Sequence, residues 1–405
     1  MSTIKIGLIR EGKIPVDRRV PITPPQAAEI QEKFPNVQVL AQTSQVRCYK
    51  DEEYSQQGIA LLEDDLHGCD ILMGVKEVPI KDLVENKTYF FFSHTIKKQA
   101  YNRHLLLEIL HKNIRLIDYE CLTNTQGERI VAFGRYAGLV GAYNGIMTYG
   151  RRENLFDIRR ARDCFDLNDL KTEYKKVQLP AIKIAVTGSG RVAKGAMEVL
   201  DGMGIRKVSV EEYLGQTFAE PVYVQLSSKH YHLSKDGSPF SSERFYSHPA
   251  EFKGNFMPFA QVTDLLIACA FWHPAAPVLF TREEMQQADF KIKVIADVTC
   301  DIEGSIPSTL RPSTIDDPVY DYNPATGKEE IPYSSKQNVT VMAIDNLPCE
   351  LPRNASHDFG RDLIDKVLPH LLGSDAEEVI KRATIAENGR LTKKYAYLAD
   401  YVAGV

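Results

Sequence analysis

Several side chains in the first third of the chain have the types and spacing for acid-base and carboxylate chemistry. Gly74-Val75-Lys76-Glu77-Val78-Pro79 closes one apolar run with a lysine and a glutamate, and Phe90-Phe91-Phe92-Ser93-His94-Thr95 closes the next with a histidine. Charged groups at the carboxyl ends of neighbouring strands point into the crevice where α/β proteins bind ligands. A lysine there can hold a carboxylate or carbonyl oxygen, and a histidine is the natural proton carrier near neutral pH. Each also has an ordinary explanation: Lys76 as a solvated strand end and His94 as a satisfied core histidine. Arg19, in Asp17-Arg18-Arg19-Val20-Pro21, and Glu120, in Leu116-Ile117-Asp118-Tyr119-Glu120, extend the set. Arginine grips a carboxylate with two parallel bonds, and a carboxylate suits an incoming amine. Spacing alone does not separate Arg19 from Arg18, or Glu120 from Asp118.

A different chemistry is written in Thr187-Gly188-Ser189-Gly190-Arg191-Val192-Ala193, a G-x-G-x-x-A run between a β-rich segment and a helix-forming one. Its glycines permit a tight turn, and the backbone N–H groups opening the helix favour a pyrophosphate. About 20 residues on, a strand read over 208–210 ends at Glu211, placed to bind an adenosine ribose and to repel a 2′-phosphate. This favours NAD. Glu212 could share the ribose role, and Arg206 and Lys207 could instead serve a 2′-phosphate. A flavodoxin-like turn without a nucleotide is the plain alternative.

Positioning these groups requires layered α/β bodies. Over the first 135 residues short apolar runs (4–8, 37–40, 71–75, 89–93, 114–117) alternate with amphipathic stretches at 25–33 and 105–110, the mark of an α/β layer. The glycine-rich stretch 134–150 reads as a helix joining two bodies, either packed closely or facing a ligand. A second α/β domain starts near 182 and continues through strands at 207–210, 265–268 and 294–298, interrupted by a polar, aromatic insert over 215–258. Amphipathic helices are expected at 357–372 and 376–388. The expected fold is α/β with two Rossmann-like domains: a substrate domain from 1–135 and 345–405, and a dinucleotide-binding domain from 136–344 inserted into it.

The 405 residues are 43% hydrophobic and 25% charged, enough for two cores, and the formal charge of -5 gives no bulk reason to bind nucleic acid or an anionic membrane. The longest apolar run, 265–272, is far short of the roughly 20 residues that span a bilayer. Small molecules are the expected partners. The 7 cysteines are scattered without metal-ligand spacing, so neither structural disulfides nor a metal centre is expected. The chain enters its first apolar run without a signal-peptide pattern, which points to the cytoplasm. The glycine-rich helix could pack within one chain or between chains, so a homo-oligomer stays open.

These motifs resemble, in order along the chain, the alanine dehydrogenase and transhydrogenase superfamily: Ile6-Gly7-Leu8-Ile9-Arg10-Glu11, Arg19-Val20-Pro21-Ile22-Thr23-Pro24, Gly74-Val75-Lys76, Phe92-Ser93-His94-Thr95, Gly188-Ser189-Gly190, Asp297 to Asp301, and Ala343-Ile344-Asp345-Asn346-Leu347-Pro348. Within it, residues 91–97, 114–120 and 344–352 resemble the lysine-ketoglutarate reductase branch, the lysine-forming saccharopine dehydrogenases. The resemblance implies reversible reductive condensation of lysine and 2-oxoglutarate to saccharopine with NAD(P)H. It implies Lys76 and His94 as catalytic residues, Arg19 as the carboxylate arginine, and Glu77, Glu120, Arg129 and Phe133 as substrate contacts. Gly188, Gly190, Arg191, Val192 and Glu211 fall on its nucleotide positions, and Asp301 matches an aspartate near the nicotinamide. Two features depart from the branch. Its animal and plant members carry a second, saccharopine-cleaving half that these residues do not contain, and they commonly use NADP where Glu211 argues for NAD. An alanine-dehydrogenase-like enzyme using ammonia, and a catalytically silent nucleotide-binding relative, are the alternatives.

Overall fold

The first apolar run becomes the strand Ile4–Leu8, buried from Ile6 onward, with Ile6 opposite Val39 on one side and Ile71 on the other. Burial on both flanks is what a parallel sheet demands of its central strands. The computed structural model, which describes residues 3–404, extends this strand into an eight-stranded sheet. Its order is Arg390–Leu391, Thr384–Glu387, Arg115–Asp118, Thr88–Phe91, Ile71–Met73, Ile4–Leu8, Val37–Gln42 and Ala60–Leu62. Six strands run parallel, Thr384–Glu387 runs antiparallel to them, and Arg390–Leu391 turns back antiparallel to Thr384–Glu387. From the first strand the chain builds outward to one side and then returns to the other, so the order reverses between Ile4–Leu8 and Ile71–Met73. The helix Pro352–Lys366 packs back on Pro24–Lys33 through the Arg361–Glu29 ion pair and a hydrogen bond from Gln26 Nε2 to the His357 carbonyl at 2.7 Å.

The helix expected at 376–388 is corrected. Only Val379–Ala383 is helical, and Thr384–Glu387 and Arg390–Leu391 form a hairpin that completes the sheet. Asn388 and Gly389, at φ 52° and 71°, supply the two left-handed positions of a tight hairpin turn.

The second sheet, also eight-stranded, has the order Lys328–Glu330, Tyr320–Asn323, Val339–Met342, Val294–Asp297, Leu265–Ala268, Lys183–Thr187, Val222–Leu226 and Arg206–Lys207. The last six of these run parallel. Two further corrections arise here. The strand expected over 207–210 ends at Lys207, because Ser209 caps a helix, Val210–Gly215, by accepting from the Glu212 N–H. The insert expected over 215–258 contains Val222–Leu226, which pairs with Lys183–Thr187 and is integral to the sheet. What lies outside the sheet starts at 227 and holds the short hairpin His232–Ser234 and Phe252–Gly254.

The glycine-rich stretch is the helix Gly134–Arg152, and it is close-packed. A Cβ on Gly138 would fall 1.7 Å from the Val192 carbonyl oxygen, and one on Gly195 would fall 2.0 Å from that of Arg135. The two helices therefore cross backbone to backbone, which only glycine allows. Two compact units result: one reaches to Phe133 and resumes at Pro352, and the other is Gly134–Leu351. The cuts thus lie at 133/134 and 351/352, against the expected 135/136 and 344/345. The later position of the second follows from the turn Leu347–Glu350, which packs on Gly134–Arg152: Asn144 Nδ2 donates to Glu350 at 2.9 Å. Among the described residues no helix is long and apolar enough to cross a membrane, and no three His, Cys, Asp or Glu side chains could jointly hold a metal.

Candidate active site

In the first unit the carboxyl ends of Ile4–Leu8 and Ile71–Met73 flank the reversal of strand order, where open α/β sheets place their ligand crevice. Glu11, three residues past the first strand, bridges that gap. Its two carboxylate oxygens accept the backbone N–H groups of Val75, at 2.6 Å, and Lys76, at 2.8 Å. Burial and the neighbouring Asp17 push the Glu11 carboxyl up to about 8. Glu77, next to Lys76, joins two partners: Nδ1 of His94 lies 2.6 Å from one carboxylate oxygen, and Nζ of Lys13 donates to the other at 2.6 Å. Burial opposes ionisation of Glu77, but the hydrogen bonds from His94 and Lys13 outweigh it and bring the carboxyl down to about 2. Nδ1 of His94 thus faces the Glu77 carboxylate, and Nε2 is the ring nitrogen that Glu77 does not engage.

His94 adopts a left-handed backbone, φ 54°, uncommon for a residue with a side chain. The buried Asp118 sustains it by accepting the Ser93 N–H at 2.9 Å, the Ser93 hydroxyl at 2.5 Å and the Glu120 N–H at 2.7 Å. Asp118 is thereby spent on the turn. Glu120 is the carboxylate left with side-chain cations, Arg129 at 3.6 Å and Lys97 at 3.9 Å. Arg19, not the exposed Arg18, is the buried arginine: Asp17 accepts from its Nε at 3.0 Å and its Nη2 at 2.6 Å, and its guanidinium lies 4.1 Å over the Phe133 ring. Phe92 ties the cluster together, with its ring 6.4 Å from that of His94, 6.0 Å from Phe133 and 6.0 Å from the Arg129 guanidinium. Phe133 in turn stacks on Phe359 at 4.4 Å.

The structure thus gathers Arg19, Glu77, His94, Glu120, Arg129 and Phe133 around one aromatic group, with the Lys76 backbone pinned beside it. Sequence reasoning missed Glu11, Lys13 and Asp17. The first two follow the carboxyl end of a central strand just as Lys76 does, so the rule that selected Lys76 could have found them.

In the second unit Thr187 ends its strand and Gly188 turns at φ 95°. A Cβ there would meet the Cys269 carbonyl at 3.1 Å, whereas Gly190 has nothing within 4 Å, so the turn is tight on its inner side and open on its outer side. Arg191 and Val192 open the 12-residue helix Arg191–Gly202, and Ala193 is buried against the sheet. These features fit a pyrophosphate at a helix N-terminus. Glu211 does not end a strand. It lies in the first turn of Val210–Gly215, exposed, its carboxyl lowered by backbone and Ser209 hydrogen bonds, while the strand beside Lys183–Thr187 ends in Leu226 and runs into Ser227, Ser228, Lys229 and His230. Asp301 is exposed in a turn closed by the Gly304 N–H on its carbonyl at 3.0 Å.

Two parallel sheets, each reversing order at its first strand, define a protein of two Rossmann-like units. Residues 7–140 match the family described as alanine dehydrogenase/PNT, N-terminal domain. The chain is similar to the mouse mitochondrial alpha-aminoadipic semialdehyde synthase, 30% identical over 446 aligned residues that take in 97% of this chain and 47% of that protein. It is also similar to the Neurospora crassa saccharopine dehydrogenase [NAD(+), L-lysine-forming], 27% identical over 365 residues, 87% of this chain and 88% of that one. Among solved structures an L-alanine dehydrogenase shares the fold with a TM-score of 0.63 and 16% identity, covering 98% of this chain and 100% of its own. The family match covers residues 7–140, and the chain as a whole shares the fold of that L-alanine dehydrogenase. It spans about half the length of the mammalian relatives it matches.

Proposed function

We propose that the protein is an NAD(P)-dependent oxidoreductase of the saccharopine dehydrogenase (L-lysine-forming) type, catalysing L-lysine + 2-oxoglutarate + NAD(P)H + H⁺ ⇌ saccharopine + NAD(P)⁺ + water. The observation that carries this reading is Glu77 holding both His94 and Lys13 at 2.6 Å beside Lys76, at the carboxyl ends of adjacent strands. The Neurospora crassa relative, by name a saccharopine dehydrogenase that forms L-lysine, supports saccharopine and lysine as reactants.

In this scheme Arg19, held in one orientation by Asp17 and Phe133, takes a carboxylate of the oxo acid, and Lys76 polarises its carbonyl. The ε-amino nitrogen of lysine, as the free amine, bonds to the carbonyl carbon as the C=O π bond opens, its proton passes to the oxygen, and Nε2 of His94 gives the second proton with which that hydroxyl departs as water. The ionised Glu77 stabilises the imidazolium whenever His94 carries that proton. Reduced nicotinamide, when bound, supplies the hydride that converts the imine to the secondary amine. General acid-base help of this kind is worth about 10²- to 10⁴-fold. Glu120 is assigned the lysine ammonium, which must then compete with Arg129 and Lys97 for it.

The turn at Gly188, Gly190, Arg191 and Val192 is assigned the pyrophosphate, and Asp301 the nicotinamide end. The geometry removes the original ground for preferring NAD, because Glu211 does not end the neighbouring strand. That strand runs into Ser227, Ser228 and Lys229, donors and a cation that tolerate a 2′-phosphate. Both nucleotides are therefore proposed cofactors. Free thiols suit a reducing compartment, and the cytoplasm stays the proposed location, although the mouse relative is mitochondrial by name.

The test is oxidation of NADH and NADPH with 2-oxoglutarate plus lysine, against pyruvate or 2-oxoglutarate plus ammonia. Turnover only with lysine supports the reading. Turnover with ammonia alone moves the protein to an alanine-dehydrogenase-like activity, and nucleotide binding without turnover moves it to a silent relative.

A further inference from the structure

Within the first unit, residues 382–402 reach back to both loops that carry charged site residues. His94 and Lys98 bracket the short turn Thr95–Lys97, each in the left-handed region, at φ 54° and 53°. Such a backbone is costly on residues with side chains, so the conformation has to be held by its surroundings. Asp118 supplies one hold, through Ser93. A second comes from far along the chain. Tyr401 donates its hydroxyl to the Gln99 carbonyl at 2.5 Å, and the Lys98 ammonium lies 5.5 Å over the Tyr397 ring. Arg103, which opens the helix Arg103–His111 directly after this stretch, grips the same segment in return: its Nε donates to the Tyr401 carbonyl at 2.9 Å and its Nη2 to that of Val402 at 2.8 Å. Those carbonyls lie in the last turn of the helix Ala399–Ala403, whose free acceptors suit a guanidinium.

A second arm of the segment reaches the loop that carries Arg129. Thr123 pairs with Arg129 across a turn in which the Asn124 N–H meets the Glu128 carbonyl at 2.9 Å. Arg382 holds the base of that turn, with Nη2 donating to the Thr123 carbonyl at 2.7 Å and Nε to the Thr123 hydroxyl oxygen at 3.3 Å. Arg382 is itself fastened, because its carbonyl accepts from the Tyr395 hydroxyl at 2.7 Å and from Nζ of Lys394 at 2.9 Å. Between the two arms runs Thr384–Glu387, paired antiparallel with Arg115–Asp118, the strand that leads to Glu120.

We propose that residues 382–402 form a two-armed clamp on the substrate loops, in which Tyr401 and Arg103 are positioning residues for His94 and Arg382 is a positioning residue for Arg129. The assignment rests on the roles given to His94 and Arg129 under the saccharopine dehydrogenase reading. The two arms make different demands on the reaction. Releasing the Gln99 carbonyl lets the turn after His94 relax, which misdirects the imidazole and weakens proton transfer. Releasing Thr123 moves Arg129 relative to Glu120, 3.6 Å away, and so alters the pocket for the lysine ammonium, which is a binding effect. A segment that merely completed the sheet would lower stability and the active fraction, without moving KM or the pH profile.

The experiment compares Tyr401→Phe, Arg382→Gln and Arg382→Lys in the full chain. Kinetics with lysine, 2-oxoglutarate and reduced nucleotide are followed from about pH 6 to 9, and amide hydrogen exchange is read on peptides covering 94–102 and 123–129. Loss of one hydrogen bond is worth up to about tenfold, so Tyr401→Phe is expected to lower kcat by about that factor, shift the pH profile and leave KM for lysine near the parent value. Its faster exchange is confined to 94–102. Arg382→Gln is expected to raise KM for lysine by about tenfold with the pH profile in place, to quicken exchange in 123–129 alone, and to be partly rescued in Arg382→Lys. Unchanged kinetics in both arms, the same change in both, or exchange that spreads over both loops overturns the clamp. The two readings fail separately. Lysine-dependent turnover that neither variant alters refutes only the clamp, and loop-specific exchange in a parent that shows no lysine-dependent turnover refutes only the catalytic reading.

Discussion

Replacing Glu11 by glutamine changes how the first unit responds to pH, with a sign that reverses across neutrality. The Glu11 carboxyl is raised to about 8, first by burial and then by Asp17, from an ordinary value of 4.5. A folded-state value above the unfolded one means the stabilisation is complete below about pH 4 and is lost as pH rises through 8. At roughly 1.4 kcal/mol per unit, the full shift corresponds to nearly 5 kcal/mol. The residue is half-buried, so solvent screens part of this, and on the order of 2–4 kcal/mol is the expected loss between pH 5 and 9. Glutamine cannot titrate, but it offers one oxygen where Val75 and Lys76 present two N–H groups, a deficit of about 1–3 kcal/mol. The variant should therefore be less stable than the parent at pH 6 and equal or more stable at pH 9. Urea unfolding followed by far-ultraviolet circular dichroism at these pH values measures the difference, and other buried acids, present in both proteins, cancel. Stability curves that run parallel from pH 6 to 9 would refute an ionisable, buried Glu11.

Glu77 carries the opposite sign: its carboxyl is depressed to about 2, so its stabilisation is present above about pH 4.5 and lost as pH falls toward 2, and Glu77→Gln should flatten the parent's loss of urea midpoint between pH 5 and 3. The same variant should lower kcat by about ten- to a hundredfold, since His94 and Lys13 lose their shared anion. His94→Asn should lower kcat by about 10²- to 10⁴-fold while KM for 2-oxoglutarate moves little, and a change confined to KM would remove His94 from proton transfer. Gly138→Ala, whose Cβ would fall 1.7 Å from the Val192 carbonyl oxygen, should lower the thermal midpoint by several degrees, whereas Gly215→Ala, with nothing within 4 Å, should leave it near the parent value.

Much of the fold was legible because its signals are local. Apolar runs marked the central strands and the glycine turn marked the second unit. The misreadings came where a local signal was outweighed by a neighbouring one. Ser209 and Glu212 form a reciprocal cap that starts a helix inside an apparent strand, which displaced the ribose argument from Glu211. Asn388-Gly389 is a strong hairpin signal that lost to an apparent helical period over 376–388. Strand adjacency is not local at all. Nothing in the order of segments reveals that Val222–Leu226, rather than Arg206–Lys207, lies beside Lys183–Thr187.

The choice between Glu120 and Asp118, left open by spacing, shows how such ambiguities resolve physically. A strand end delivers alternating side chains to opposite sides, and the turn after it leaves backbone donors that must find acceptors. At Arg115–Asp118 the nearer carboxylate, Asp118, meets those donors and becomes buried, which commits the farther one, Glu120, to side-chain cations. The same division holds two strands away. Glu11 satisfies the backbone of Val75 and Lys76, and Glu77 is then left to pair with His94 and Lys13. One carboxylate of each pair organises the loop, and the other pairs with side-chain cations or a histidine. At Arg115–Asp118 the division also follows burial: Asp118 is fully buried and Glu120 partly solvated, as expected when the organising acid is the one packed against backbone donors.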